Sequence, residues 1–215
     1  SFAQSDTIFS GKYINRSTYI DIELPDSIPE IYLSELFNYE QHHIHSATVF
    51  NNEMTEVFFS LYENYKFPQK IFVTRKINGE WTIPSIFEHS GIYQDGGPIL
   101  SKDGDVLYFY SRRPVVGTKS REISAIWFCE KEEGKWNKPK ILLRKDTTRS
   151  YLPNYISYSI IYFTSVDDDN IYSIYKGFIY KNRIINEQKL NELINSDTHV
   201  NSHAYFNETL GLMLF

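Results

Sequence analysis

The residues best suited to chemistry in this chain are three histidines and one carboxylate. His43 and His45 alternate along an extended segment, so both side chains can leave the backbone on one side. With Asp95 and His203 they would offer the imidazole and carboxylate donors that take a divalent transition metal. The same residues have a plainer reading. Two histidines at this spacing are common, and solvated or hydrogen-bonded imidazoles need no metal. No closed ligand set emerges, so no cofactor is expected and a divalent metal stands only as the alternative.

Other chemistries find less footing. Glycoside hydrolysis needs two carboxylates converging across a sugar, and Asp95 is the one candidate at a suitable position, so no catalytic residue is assigned. Asp167-Asp168-Asp169-Asn170 lacks the glycine and the distant glutamate of a calcium loop and reads as an exposed acidic loop. Arg112, Arg113, Lys119 and Arg121 gather in one segment, which reads as a solvated loop. Cys129 is the only cysteine, so the chain forms no internal disulfide, and its setting is that of a buried apolar filler. The sequence contains no glycine-rich phosphate loop, nucleophile elbow or zinc-protease helix.

Composition narrows the class. The 215 residues carry a formal charge of −5, without the basic footprint of a nucleic-acid binder, and no apolar run is long enough to span a membrane. Aromatics make up 16% of the chain, an excess that favours strands. Ser1 and Ala3 are small residues ahead of Gln4, as at the tail of a secretory signal, so a periplasmic or extracellular protein is expected.

The elements that must position these groups recur along the chain. In the clearest unit, Pro98 to Leu100 reads as a strand and Asp103-Gly104 as a tight primed turn. Val106 to Ser111 and Ser124 to Cys129 read as the next two strands, Glu133-Gly134 as a turn, and Lys135 to Asn137 as a fourth strand stopped by Pro139. The same order runs from Ala47 to Pro84, with Asn78-Gly79 as its later turn. It runs again from Pro153 to Ile185, and begins once more at Ala204. Residues 1–40 read as a lead-in, with Glu30 to Glu40 a doubtful helix because of its branched and aromatic residues. The period of roughly 50 residues with four strands each is that of β-propeller blades. The expected fold is therefore all-β, with blades at about 43–90, 95–146 and 150–195 and a partial one at 200–215. Trp81 and Trp136 occupy equivalent positions and are expected to pack between units.

The unit from Ser101 to Pro139 resembles the TolB-type, WD-repeat-like β-propeller family. Ser101, Asp103, Gly104, Leu107, Tyr108, Phe109, Ser111, Arg113 and Pro114 fit the first half of that family's blade, and Ile126, Trp127, Gly134, Trp136 and Pro139 the second. The resemblance covers about residues 43–215. It implies a ring of six or seven blades, so the chain is expected to be part of a longer protein. It also implies that residues just ahead of each blade's first strand line the channel mouth, which here are His43, His45, Asp95, Tyr151 and His203. The family often has acidic pairs there, and Gly97, Arg149 and Ser150 depart from that pattern.

The expected function is a non-enzymatic binding or scaffold module that presents loops and channel mouth to a protein or glycan partner. The alternatives are a carbohydrate-active hydrolase or lyase at the same mouth, and a propeller whose parent protein carries its activity elsewhere.

Overall fold

The second strand of each repeat is apolar or aromatic at nearly every position, so both of its faces must be covered, and the architecture follows from that demand. The computed structural model describes residues 42–44, 48–63, 66–115, 124–142, 150–166, 169–195, 200–207 and 210–214. Among them there is no helix, and hence none long and apolar enough to cross a membrane. The lead-in, His45 and the doubtful helix at 30–40 lie outside the described residues.

The first sheet comprises β1 (His42–Ile44), β2 (Val49–Phe50), β3 (Glu56–Glu63), β4 (Lys66–Ile77), β5 (Glu80–Trp81) and β6 (Ser85–Ile86). Both β1 and β2 pair with β3, and both β5 and β6 pair with β4, so the sheet is a four-ribbon meander with its outer ribbons interrupted. The second sheet comprises β7 (Asp95–Leu100), β8 (Val106–Ser111), β9 (Ala125–Glu132), β10 (Lys135–Trp136) and β11 (Lys140–Ile141), with β10 and β11 both against β9. The third is β12 (Ser150–Ser157), β13 (Ile160–Val166), β14 (Tyr172–Tyr180) and β15 (Arg183–Lys189), paired in that order. The hairpin of β16 (Tyr205–Asn207) and β17 (Leu212–Leu214) completes the described chain. Every pairing is antiparallel.

Two local expectations need correction. Pro84 and Pro139 interrupt the fourth ribbon rather than stop it, because a residue without an N–H breaks the ladder only locally and pairing resumes at β6 and β11. The turn at Asp103-Gly104 is not a two-residue primed turn. The Ser101 N–H donates to the Val106 carbonyl at 2.8 Å and the Gly104 N–H to the Ser101 carbonyl at 2.9 Å, and only Gly104 has positive φ (81°). The Ser101 hydroxyl accepts the Val106 N–H at 2.9 Å and donates to the Asp103 carboxylate, so a side chain closes the loop. The first sheet builds the same loop from other residues. Asn51 Oδ1 accepts the N–H groups of Thr55 and Glu56, both at 2.8 Å, and Met54 takes the left-handed position at φ 54°.

The registers make the three sheets superposable in sequence. Next to that loop Phe50 faces Val57 and Leu100 faces Leu107, and in the third sheet Ile156 faces Ile161 one pair in from the shorter turn at Tyr158-Ser159. At the outer hairpin Trp81 faces Lys76, Trp136 faces Lys131 and Ile184 faces Ile179. Trp136 reaches the neighbouring sheet, its ring centroid 5.7 Å from Phe58 and 6.2 Å from Phe87, both edge-on. One apolar cluster joins the first and second sheets through Phe58, Phe87, Leu107, Phe109 and Trp136. A second cluster joins the second and third through Tyr108, Phe128, Ile161, Phe163 and Ile184.

Cys129 lies fully buried in the first of these clusters, and burial pushes its thiol up to about 12 despite the opposing pull of Arg113. In the native protein it should therefore resist a disulfide reagent at about pH 8 and react only after denaturant is added, which a colorimetric thiol assay reads directly. The two matching loops give a paired prediction. Met54→Gly should raise unfolding free energy by about 1 kcal/mol, and Gly104→Ala should lower it by a similar amount, as measured by urea denaturation, because L-residues pay roughly that for the left-handed region.

Candidate functional site

Where β7 begins, the chain spends its strongest polar interactions. Asp95 is fully buried. Its Oδ2 accepts the Ser90 hydroxyl at 2.9 Å and lies 3.3 Å from Arg113 Nη2. Its Oδ1 lies 3.0 Å from Arg113 Nη1 in a contact that is ionic rather than hydrogen-bonded. The guanidinium also donates to the His89 carbonyl and to the Ser111 hydroxyl, the latter at 3.2 Å, and lies over the Phe109 ring at 5.1 Å. Burial raises the Asp95 carboxyl above its ordinary range, and Arg113 is the largest opposing influence. This group is a clasp between the segment leaving the first sheet and the start of the second.

One residue further on is a second buried network. Gln69, also fully buried, donates from Nε2 to the Ser60 hydroxyl at 2.9 Å, and the Tyr110 hydroxyl donates to its Oε1. Gly96 lies against this network: a Cβ there would come within 2.6 Å of the Tyr110 oxygen and 2.7 Å of Gln69 Cδ. Burial raises the Tyr110 phenol above its ordinary value, with Tyr62 adding to the shift. The registers place Ser60, Tyr110 and Thr164 at one equivalent position of β3, β8 and β13, three residues beyond Val57, Leu107 and Ile161, and all three are buried.

The first strands of the second and third sheets both carry a bulge at this level. Gly96 faces Tyr110 and Ile99 faces Tyr108, which leaves Gly97 and Pro98 opposite the single residue Phe109, with Gly97 at φ 58°. Pro153 faces Phe163 and Tyr155 faces Tyr162, which leaves Asn154 unpaired in the ladder. The extra residues bend the strands. They border a cavity of about 330 Å³ whose lining includes Gly97, Tyr110, Asn154, Thr164, Ser202 and His203. Thr164 Oγ1 lies 3.0 Å from both the Nδ2 and the Oδ1 of Asn154, and the Ser202 hydroxyl lies 2.8 Å from His203 Nδ1. In the tautomer that accepts this hydroxyl at Nδ1, the imidazole carries its proton on Nε2 and becomes a donor.

Of the residues singled out from sequence, His203 lines this cavity. Asp95 instead belongs to the clasp. Tyr151 is buried in the core, its ring edge-on to Phe163 at 6.1 Å, and its N–H is taken by the Ser124 carbonyl at 2.9 Å. The backbone of His43 lies on β1 opposite Tyr62, and His45 is outside the described residues. Among the described residues no three of His, Cys, Asp and Glu are grouped to hold a metal ion. Sequence reasoning missed Tyr110, Asn154, Thr164 and Ser202. Positions 60, 110 and 164 each carry a hydroxyl, a recurrence at equivalent places in the three strands that is the available signal for this level.

Comparisons with known proteins add little. No protein-family model and no curated protein matches the sequence. Among solved structures, a puromycin-hydrolyzing peptidase from Mycobacterium tuberculosis aligns at 10% identity with a TM-score of 0.38, over 68% of this chain and 29% of that one. The chain thus spans under a third of that structure's length, and a likeness this distant carries no argument about fold or activity.

The clasp yields a prediction with a defined pH dependence. Arg113→Met strands a buried carboxylate and should cost about 3–5 kcal/mol at neutral pH. Without the guanidinium, the folded-state pKa of Asp95 rises further above its unfolded value of about 3.9. A group raised on folding contributes its stability below the unfolded pKa and loses it as pH climbs through the folded one. The deficit should therefore be smaller at about pH 4 than at about pH 7, and adding Asp95→Asn should recover part of it at pH 7, as urea denaturation at the two pH values would register.

Proposed function

We propose that this chain is a run of β-propeller blades of the TolB-like kind and serves as a binding module, with its ligand or partner engaged where the first strands of successive sheets meet. Support for the blade reading comes from the superposable four-ribbon meanders and the apolar clusters that join each sheet to the next. The observation that carries the binding reading is the cavity of about 330 Å³ beside the bulges of β7 and β12. It falls within the size range of small-molecule sites and combines apolar side chains, Leu152 and Val200, with hydroxyl, amide and imidazole groups.

The test is thermal unfolding of the full protein against oligosaccharides, short peptides and divalent metals. A genuine ligand should raise the melting temperature with the logarithm of its concentration, by the equivalent of about 2.7 kcal/mol at a hundredfold excess over Kd. The shift should be lost in Asn154→Ala and His203→Ala. A shift that survives both substitutions, or turnover of a panel member, would reject the binding-module reading at this cavity.

A further inference from the structure

Granting that reading, we infer that the cavity takes a single small uncharged polyhydroxyl ring, a neutral monosaccharide unit, in preference to an anionic sugar or an extended peptide. Three features carry this.

The first is charge. Among the described residues no lysine, arginine, aspartate or glutamate lines the cavity. An ionised ligand there would give up its hydration without meeting an opposite charge, a penalty of several kcal/mol. Arg113 and Asp95, close in sequence to the lining residues Tyr110 and Gly97, are committed to each other.

The second is the backbone. An extended peptide would bind by adding a strand to the free edges of β7 and β12. Those edges carry Pro98 and Pro153 at matching levels, each beside a bulge, so donors are missing and the ladder is bent where a guest strand would pair. Recognition must then run through side chains.

The third is the mix of groups and the size. Tyr172 and Leu152, both half-buried in the lining, bring aromatic and apolar surface suited to the C–H face of a sugar. Asn154, held by the buried Thr164 hydroxyl, and the Ser202–His203 pair offer both donors and acceptors, suited to hydroxyls that are each donor and acceptor at once. At about 330 Å³ the cavity lies at the small end of ligand pockets, with room for a single sugar ring.

The experiment is titration of the isotope-labelled full protein, monitored by backbone amide shifts and calorimetry, with glucose, galactose, mannose, N-acetylglucosamine, glucuronate, galacturonate and trialanine. At least one neutral sugar should bind saturably with shifts at Asn154, Thr164 and His203, and its uronate should bind at least tenfold more weakly. Asn154→Ala should reduce the neutral sugar's affinity about tenfold and also lower the melting temperature of the free protein, because it strips the buried Thr164 hydroxyl of its partner, whereas Ser202→Ala, on an exposed pair, should weaken binding to a lesser degree with the melting temperature unchanged. A uronate or trialanine that binds more tightly while shifting those same amides would overturn the inference and leave the binding reading standing. A neutral sugar whose shifts fall elsewhere would also overturn it. If no compound of any class perturbs those amides, both readings fail together.

Discussion

Leu107, Tyr108, Phe109, Tyr110 and Ser111 are five consecutive buried residues of one strand, and so are Val57 to Leu61 and Ile161 to Ser165. A strand points alternate side chains to opposite faces, so a run buried at every position needs a partner on both sides at once. A lone meander cannot supply that. The sheets must stack, and their stacking governs both the packing and the placement of polar groups. Aromatic residues fill the space between sheets because flat rings cover wide areas, and the outer Trp136 reaches across to Phe58 and Phe87.

The same constraint explains where the polar chemistry lies. Each buried strand carries a hydroxyl near its end, at Ser60, Tyr110 or Thr164, and a buried hydroxyl is costly without a partner. In the first two sheets the answer is the Ser60–Gln69–Tyr110 chain, which binds one sheet to the next by side-chain hydrogen bonds. In the third it is the Asn154–Thr164 pair, made possible because the bulge frees Asn154 from the ladder. The cavity lies beside these groups, so its polar lining follows from how the sheets are satisfied and is held in place by the same bonds.

Much of the secondary structure was legible because alternating β-branched and aromatic runs separated by Asn-Gly, Asp-Gly and Glu-Gly pairs leave few other solutions. The strands at Val106–Ser111 and Ile160–Val166 fall where the pattern puts them. The turn at Asp103-Gly104 was misread because its geometry is set by the Ser101 hydroxyl, a contact with no counterpart in the dipeptide. The site was less legible. Asp95 looked like a free carboxylate because nothing in the local sequence says that Arg113, beyond an intervening hairpin, folds back onto it. Asn154 looked like a plain strand residue, since a one-residue bulge depends on the register of two strands rather than on either alone. His203 was accessible from its place ahead of a repeat, a matter of chain order that survives folding.

The strand order has a consequence for how the chain reaches this state. Among the described residues each sheet is built from segments that succeed one another directly, with only short outer ribbons stepping back by one place. No pairing waits for a distant segment, so the entropic cost of loop closure stays low and each meander can form once its own residues are free to move. Neighbouring meanders then dock in sequence order, and the Arg113 contact to His89 and Asp95 closes early, within a span of 25 residues counted from His89 to Arg113. A protein assembled this way can fold from its amino-terminal side as it emerges from the ribosome, each new sheet covering the apolar face left by the one before.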